Sequence, residues 1–219
     1  MKTILITGGA GFVGRYLINF FKDNYKIIVI DDLSSGFKKN IDKKVIFFKG
    51  SINDDKILHK AFNFKPQYVI HLAALFANQN SVDNPIKDLS TNGLGTIKIF
   101  DYCKKFGVKK IIFSSSSCVY GNLKKMNEEN FARELSTPYA ITKLLGEYYA
   151  KFWSDYHGLN ILVVRLFNVY GPGDFPGKFR SVIPNFFQTA LKDRATHAEN
   201  NCSLRKRFKK LSNKIPERE

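Results

Sequence analysis

Two short stretches place reactive groups at distances that suit proton transfer. In "PYAITK", Tyr139 and Lys143 stand four residues apart, which puts them on one face of a helix. A phenol with an ordinary pKa of about 10 is a poor base at neutral pH. Bringing it near neutrality takes roughly 4 kcal/mol of favourable interaction with the phenolate, and a neighbouring ammonium is one source of that. Upstream, "SSSSCVYG" ends in Gly121 and supplies hydroxyls able to hold a substrate oxygen as it loses its proton. Taken alone, Tyr-x-x-x-Lys is also the spacing of an ordinary exposed helix pair. Beside a serine run and a cofactor motif it reads as a site.

The cofactor motif is "TGGAGFVG", with Gly8, Gly11 and Gly14 directly after a short apolar run. A strand, a glycine-rich turn and a helix start present backbone N–H groups and a positive helix end to an anion. The spacing is G-x-x-G-x-x-G, whose bland reading is a tight turn. Its placement after the first strand, with an acid closing the second, points to a dinucleotide. That acid is Asp31, in "IIVIDDLSSG". A carboxylate there accepts both ribose hydroxyls of adenosine and repels a 2′-phosphate, which favours NAD over NADP.

These groups need a scaffold, and the apolar pattern supplies one. Residues 3–7, 26–30, 44–48, 68–72, 109–114 and 160–166 are dense in Ile, Val, Leu and Phe and read as strands buried on both faces. Residues 12–22, 54–62, 85–106 and 138–156 have helical length and spacing. Such alternation predicts βαβ units and an α/β, doubly wound parallel sheet. The serine run then falls at the carboxyl end of the fifth strand, where sheets of this kind place ligands. Glycine and proline at 171–177 mark a boundary, and one amphipathic helix is expected over 181–192. Residues 1–170 are thus expected to form the main domain, 171–192 the start of a second lobe, and 193–219 a basic, divergent tail that packs poorly.

Composition narrows the classes. Cys103, Cys118 and Cys202 lack paired spacing, and His59, His71, His157 and His197 are scattered, so neither a disulfide framework nor a metal site is expected. The apolar run at the N-terminus is too short for a signal peptide, and no stretch approaches the roughly 20 apolar residues of a membrane span. A cytoplasmic protein with no membrane partner is the expectation. The net charge of +16 is dispersed over lysines in "GFKKN", "CKKFGVKK" and similar runs. Residues 192–219 carry nine Lys/Arg against four Asp/Glu. The "RKRFKK" within them has no accompanying nucleic-acid motif, so binding to RNA or DNA is not expected.

The order and spacing of "TGGAGFVG", Asp31, "HLAAL", "NGLGT", "SSSSCVYG", "YAITK" and "RLFNVYGPGD" resemble the extended short-chain dehydrogenase/reductases. Within these they are most similar to the NAD-dependent nucleotide-sugar epimerases and dehydratases of the UDP-glucose 4-epimerase kind. The resemblance runs from the first residue to about Lys192. It implies a Rossmann-type sheet and NAD held by Gly8, Gly11, Phe12, Val13 and Gly14 at the pyrophosphate, with Asp31 at the adenosine ribose. Ser51 and Ile52 would lie at the adenine, and Leu72, Ala73 and Ala74 along the cofactor. Asn92 would brace the active-site helix and strand beside the cofactor, and Ser114 would lie beside it too. Tyr139 would be the general base, Lys143 the ligand of the nicotinamide ribose, and Ser116 the hydroxyl partner, with Ser117 as the alternative. Asn168 would touch the nucleotide-sugar substrate, which Ser116, Ser117 and Tyr139 would also contact. A homodimer through two helices per subunit, at 85–106 and 138–156, is implied as well.

The sequence departs from the family pattern in three places. Ser117 and Cys118 stand where the dehydratases carry an acidic pair and the decarboxylases a glutamate, which favours epimerisation over dehydration. "GSI" replaces "GDI" after the third strand, so Ser51 offers the adenine a hydrogen bond without charge. After "VIPNFFQTALK" the family continues into a strand and a small α-rich lobe over the nucleotide, whereas here the basic stretch follows. Most of the small C-terminal substrate lobe is therefore expected to be missing. A 4-epimerase impaired by truncation is the leading reading. The alternatives are an inactive NAD-binding remnant, a dehydratase or reductase using the same residues, and a nucleic-acid binder using the tail.

Overall fold

Strand β1 (Thr3–Thr7) is buried along its whole length because it lies inside a sheet that has six strands among the described residues. The computed structural model describes residues 1–76, 78–123, 126–132, 134–177 and 182–191. The tail with "RKRFKK" lies outside these residues, as do Ser181 and Lys192 at the ends of the expected last helix. The remaining strands are β2 (Lys26–Asp31), β3 (Ile46–Lys49), β4 (Tyr68–His71), β5 (Lys110–Ser116) and β6 (Ile161–Leu166). Their order is β3-β2-β1-β4-β5-β6, all parallel. The chain runs outward from β1 to β3 and then returns to β4. The crevice between the carboxyl ends of β1 and β4 is therefore the switch point where such sheets hold ligands.

Period-two alternation divides the strand side chains between two faces. Ile4, Ile6, Ile27, Val29 and Ile70 pack with Ile18 of α1 (Phe12–Phe21). Leu5, Ile28, Ile30, Val69, Ile111 and Phe113 pack on the other side, against α2 (Asp55–Phe62), α5 (Gly95–Lys105) and α6 (Pro138–His157). The expected strands and helices are present, with three informative differences. β5 runs on to Ser116 instead of stopping at Ser114, because Ser114, Ser115 and Ser116 pair with Val164, Arg165 and Leu166. The serines are thus held by the sheet itself. A short helix, α3 (Asn78–Asp83), precedes α4 (Pro85–Asp88); its polar sequence lacks the apolar rhythm used to find helices.

The third difference is that the helix expected over 85–106 is not uniform. Between α4 and α5 the chain forms a π-helical segment, Leu89–Leu94, in which the Gly95 N–H donates to the Ser90 carbonyl five residues back. Such wide turns cluster at functional sites. Gly95 sits where a Cβ would come within 2.6 Å of the Ile52 side chain, so the turn lies tightly on the loop after β3.

Helix α6 carries its own start and stop signals. Thr137 accepts from the Ala140 N–H, Pro138 opens the first turn, and Gly158 ends the helix in the left-handed region at φ 66°. Its buried face is Tyr139, Thr142, Lys143, Gly146, Ala150 and Trp153. At Gly146 a Cβ would lie 2.5 Å from the Phe113 ring. Only glycine lets α6 approach β5 this closely, and that brings Tyr139 and Lys143 to the serines. The backbone divides after Val169. Beyond it the described residues hold α7 (Val182–Leu191), and Asn185 bonds both the N–H and the carbonyl of Gly177.

Candidate active site

The glycines of the first turn do different jobs. Gly8 has φ 73°, and a Cβ on it would fall 2.7 Å from the Ala73 N. A Cβ on Gly14 would meet the Gly9 Cα at 2.6 Å and the Gly8 carbonyl at 2.7 Å. Both are required by the chain packing on itself. Gly11 is different: a Cβ there would meet only the Gly8 carbonyl, at 3.2 Å, so its glycine leaves the open side of the turn free. Gly11 also caps α1 without a side-chain hydrogen bond, and no acid lies in the first turn, where Phe12 and Val13 stand. The first N–H groups of α1 therefore remain available to an anion.

Asp31 closes β2 beside this turn and is 8% exposed. One carboxylate oxygen accepts from the Ala10 N–H at 2.9 Å and the other from the Leu33 N–H at 2.8 Å. Burial raises its pKa against the pull of these two amides. The carboxylate is thus fixed at the glycine turn, with further lone pairs for hydroxyl donors. Asn40, which the sequence reading did not single out, donates to the Ala10 carbonyl at 2.8 Å and steadies the turn from the other side. At the next strand end, Ser51 Oγ accepts from the Asn53 N–H, and the Ile52 side chain is buried in the core.

Across the switch point, Leu72 and Ala73 continue from β4. The Leu72 N–H bonds the Thr7 carbonyl, and the Ala73 N–H bonds Thr7 Oγ1 at 3.3 Å; Ala74 follows, half-buried. His71 lies between this loop and the π segment. Its Nδ1 is 2.6 Å from Thr7 Oγ1 and its Nε2 is 3.0 Å from Thr96 Oγ1, and Thr96 donates to the Asn92 carbonyl at 2.6 Å. Because the Thr96 proton goes to Asn92, His71 must donate from Nε2 and accept at Nδ1 from Thr7. Burial, and then the charge of Lys143, push His71 down to about 3, so it is neutral.

Asn92 is fully enclosed. Its Oδ1 accepts from the Leu75 N–H at 2.7 Å, and its Nδ2 donates to the Leu75 carbonyl and to Asp88 Oδ1. It clasps the loop that follows "HLAA". Asp88, also missed in the sequence, accepts from Thr142 Oγ1 at 2.6 Å as well.

Ser116, Tyr139 and Lys143 meet at the end of β5. Ser116 is near enough to the Tyr139 hydroxyl to favour its phenolate, and the Ser116 Oγ accepts from the Cys118 N–H at 3.1 Å. Lys143 Nζ donates to the Ser114 carbonyl at 2.8 Å and stands over the Tyr139 ring, 5.7 Å from its centroid. The electrostatics correct one expectation. Burial raises the Tyr139 pKa, Cys118 adds to the rise, and Ser116 opposes it; Lys143 is not among the causes. Lys143 is itself pushed down to about 8 by burial, against the pull of Asp88 and Cys118. Burial dominates, and Lys143, held at about 8, has already lost its proton at the pH where Tyr139 would ionise, so no ammonium is present to favour the phenolate.

Ser117 is half-buried, and Asn168 is exposed beyond β6. A further hub escaped the sequence reading. Glu147 of α6 takes Arg165 Nε and Nη2 at 2.9 and 2.8 Å, and also the Ser115 hydroxyl. Arg165 Nη1 reaches the Asn130 carbonyl at 2.8 Å. A Glu and an Arg eighteen residues apart carry no local signature; only the pairing of β5 with β6 beneath α6 brings them together.

Residues 4–206 match the NAD dependent epimerase/dehydratase family. The chain is 39% identical over 197 residues to a putative UDP-glucose 4-epimerase of Methanocaldococcus jannaschii, covering 88% of this chain and 64% of the relative. Among solved structures it is similar to an epimerase of Methanothermobacter thermautotrophicus at 47% identity and a TM-score of 0.84, covering 87% of this chain and 59% of that one. It is also similar to a UDP-glucose 4-epimerase of Thermus thermophilus in complex with NAD, at 31% identity and a TM-score of 0.84, covering 89% and 64%. The chain thus spans less than two thirds of the length of these relatives. By sequence match, sheet order and fold, it belongs to the NAD dependent epimerase/dehydratase family.

Proposed function

We propose that the chain is the NAD-binding, proton-transferring part of a nucleotide-sugar 4-epimerase acting on a UDP-sugar or a close analogue. The observation that carries this reading is the meeting of buried Tyr139 with Ser116 and with Lys143, which is anchored on the Ser114 carbonyl, at the carboxyl end of β5. The cofactor fits the residues present: the open side at Gly11, the uncapped start of α1 at Phe12 and Val13, and the fixed carboxylate of Asp31. Gly8 and Gly14 shape that turn, Ser51 and Ile52 would flank the adenine, and Leu72, Ala73 and Ala74 would line the cofactor, with Asn92 bracing their loop and Ser114 anchoring Lys143. Bound NAD would supply a hydride acceptor that returns the hydride, so no net redox occurs.

The chain's own residues then manage the proton. Ser116 holds the sugar hydroxyl, and Tyr139 Oη takes its proton and later gives it back. Burial keeps Tyr139 protonated in the chain alone, so phenolate formation requires a further positive charge, such as the oxidised nicotinamide. Lys143, anchored on Ser114, would hold the ribose. Ser117 and Cys118 place no carboxylate at the position where elimination would need an acid, which supports epimerisation over dehydration. Asn168 and Ser117 are the proposed contacts to the substrate. Exposed Ile141, Tyr148 and Phe152 recur on one side of α6, and Ile86, Leu89 and Leu94 are exposed around the π segment. These two helical stretches are the proposed homodimer surface. Among the described residues no helix is long and apolar enough to cross a membrane, and the proposed location is the cytoplasm.

Calorimetric titration with NAD, followed by a UDP-sugar, tests the reading. Binding of both, with constant nicotinamide absorbance during conversion of one sugar epimer to the other, is the expected result. Net reduction of the cofactor would replace epimerisation by oxidation. NAD binding without UDP-sugar binding would overturn the epimerase reading.

A further inference from the structure

The π segment between α4 and α5 touches three parts of the site. Asn92 holds the Leu75 backbone through both its N–H and its carbonyl. The Asn92 carbonyl takes the Thr96 hydroxyl, which in turn accepts from His71 below the Thr7–Ala73 contact. Asp88, fully buried at the start of the segment, joins this cluster to α6. Its Oδ1 accepts from Asn92 Nδ2 at 2.7 Å, and its Oδ2 accepts from Thr142 Oγ1 at 2.6 Å. Thr142 is the residue before Lys143 and three after Tyr139. One carboxylate therefore fastens the loop after β4 to the helix that carries both titrating groups.

We propose that Asp88 is a positioning residue that ties this loop to the catalytic helix and supplies the buried negative charge that keeps Lys143 an ammonium. The proposal rests on the reading of Tyr139 and Lys143 as the proton-transferring pair. The physical requirement is plain: a buried ammonium is stable only when an opposite charge or hydrogen-bond acceptors compensate its lost hydration. Lys143 has the Ser114 carbonyl as acceptor. The ionisable groups around it are Tyr139, Cys118, His71 and Asp88. Tyr139 is protonated and His71 is neutral, as derived above. Asp88 favours the charged lysine more than Cys118 does; burial raises its own pKa, against the hydrogen bonds from Thr142 and Asn92 and the charge of Lys143. Its two partners both donate to it, as suits a carboxylate. A wide turn suits this task because it presents Asp88 and Asn92 to α6 and to the loop from one short segment.

The test uses the full chain and needs no substrate. The pH at which Lys143 becomes half-reactive toward an acylating reagent is read residue by residue by mass spectrometry, in the wild type and in Asp88→Asn. The wild-type midpoint is expected near 8, and in Asp88→Asn it is expected to fall by about one pH unit, with unchanged circular dichroism. An unchanged midpoint in a folded Asp88→Asn chain overturns the proposal. If that variant does not fold, Thr142→Val, which keeps the charge and cuts the tie, is expected to weaken NAD binding several-fold, with Thr142→Ser restoring it. NAD affinity equal to wild type in Thr142→Val overturns the proposal on that arm. If the wild-type chain binds no NAD, the functional reading fails, while the Lys143 midpoint still decides the charge assigned to Asp88.

Discussion

The centre of the sheet and its β6 edge build their sites by different means. At β1 and β4 every strand has neighbours on both sides, and the glycine turn is shaped by backbone contacts: Gly8 against Ala73, Gly14 against Gly9, and Asp31 on the Ala10 and Leu33 amides. At the edge, β6 is bonded to β5 alone among the described residues, Leu162 is 47% exposed, and Phe167 and Asn168 stand open to solvent. There the geometry depends on side chains, chiefly Glu147 holding Arg165 and Ser115. A backbone-built site tolerates little, because no rotamer change relieves a collision. A side-chain-built site is tuned one interaction at a time.

Four substitutions probe that contrast. Gly14→Val drives a branched side chain into the Gly9 and Gly8 backbone and is expected to cost about 3 kcal/mol or more and to abolish NAD binding; thermal melting and calorimetry check this. At the β6 end, Arg165→Ala leaves the Glu147 carboxylate without its cation. A loss of about 3 kcal/mol is expected in urea unfolding, with NAD binding reduced less than by Gly14→Val. Equal damage to NAD binding from both would erase the distinction between centre and edge.

The third concerns pH. The folded chain holds Lys143 at about 8 against an ordinary 10.5, so between these values the unfolded chain carries a proton that the folded chain has shed, and stability rises with pH. Lys143→Met is therefore expected to be more stable than wild type by about 3 kcal/mol at pH 7. The gap should close as pH climbs through 8 toward 10.5, and a gap independent of pH would remove the buried ammonium from the account. The smallest effect belongs to Asn168→Ala, an exposed position expected to shift stability by less than about 0.5 kcal/mol and to leave NAD affinity unchanged. Only substrate affinity should fall.

Much of the fold was legible because buried parallel strands advertise themselves as unbroken apolar runs: β1, β2, β4 and β6 fall within a residue or two of their expected bounds. The residue types of the candidate site were legible too, since Gly8–Gly14, Asp31, Ser116, Tyr139 and Lys143 sit in short local patterns. Asp88, His71, Thr142 and the Glu147–Arg165 pair were not, because their partners lie on other elements and no spacing in one segment reveals them. The π segment was hidden for a related reason: an apolar pattern reports burial, and one wide turn barely alters it.

The sequence by itself determined the parallel sheet, the turn that invites a dinucleotide, and the chemistry available at Tyr139, Lys143 and Ser116. Only the tertiary structure decided the state of those groups. Local spacing placed an ammonium beside a phenol and implied a lowered pKa, but packing α6 onto β5 through Gly146 buried both groups. The loss of hydration then raised the tyrosine and depressed the lysine. Desolvation depends on everything that surrounds a side chain, and that is a property of the folded chain alone.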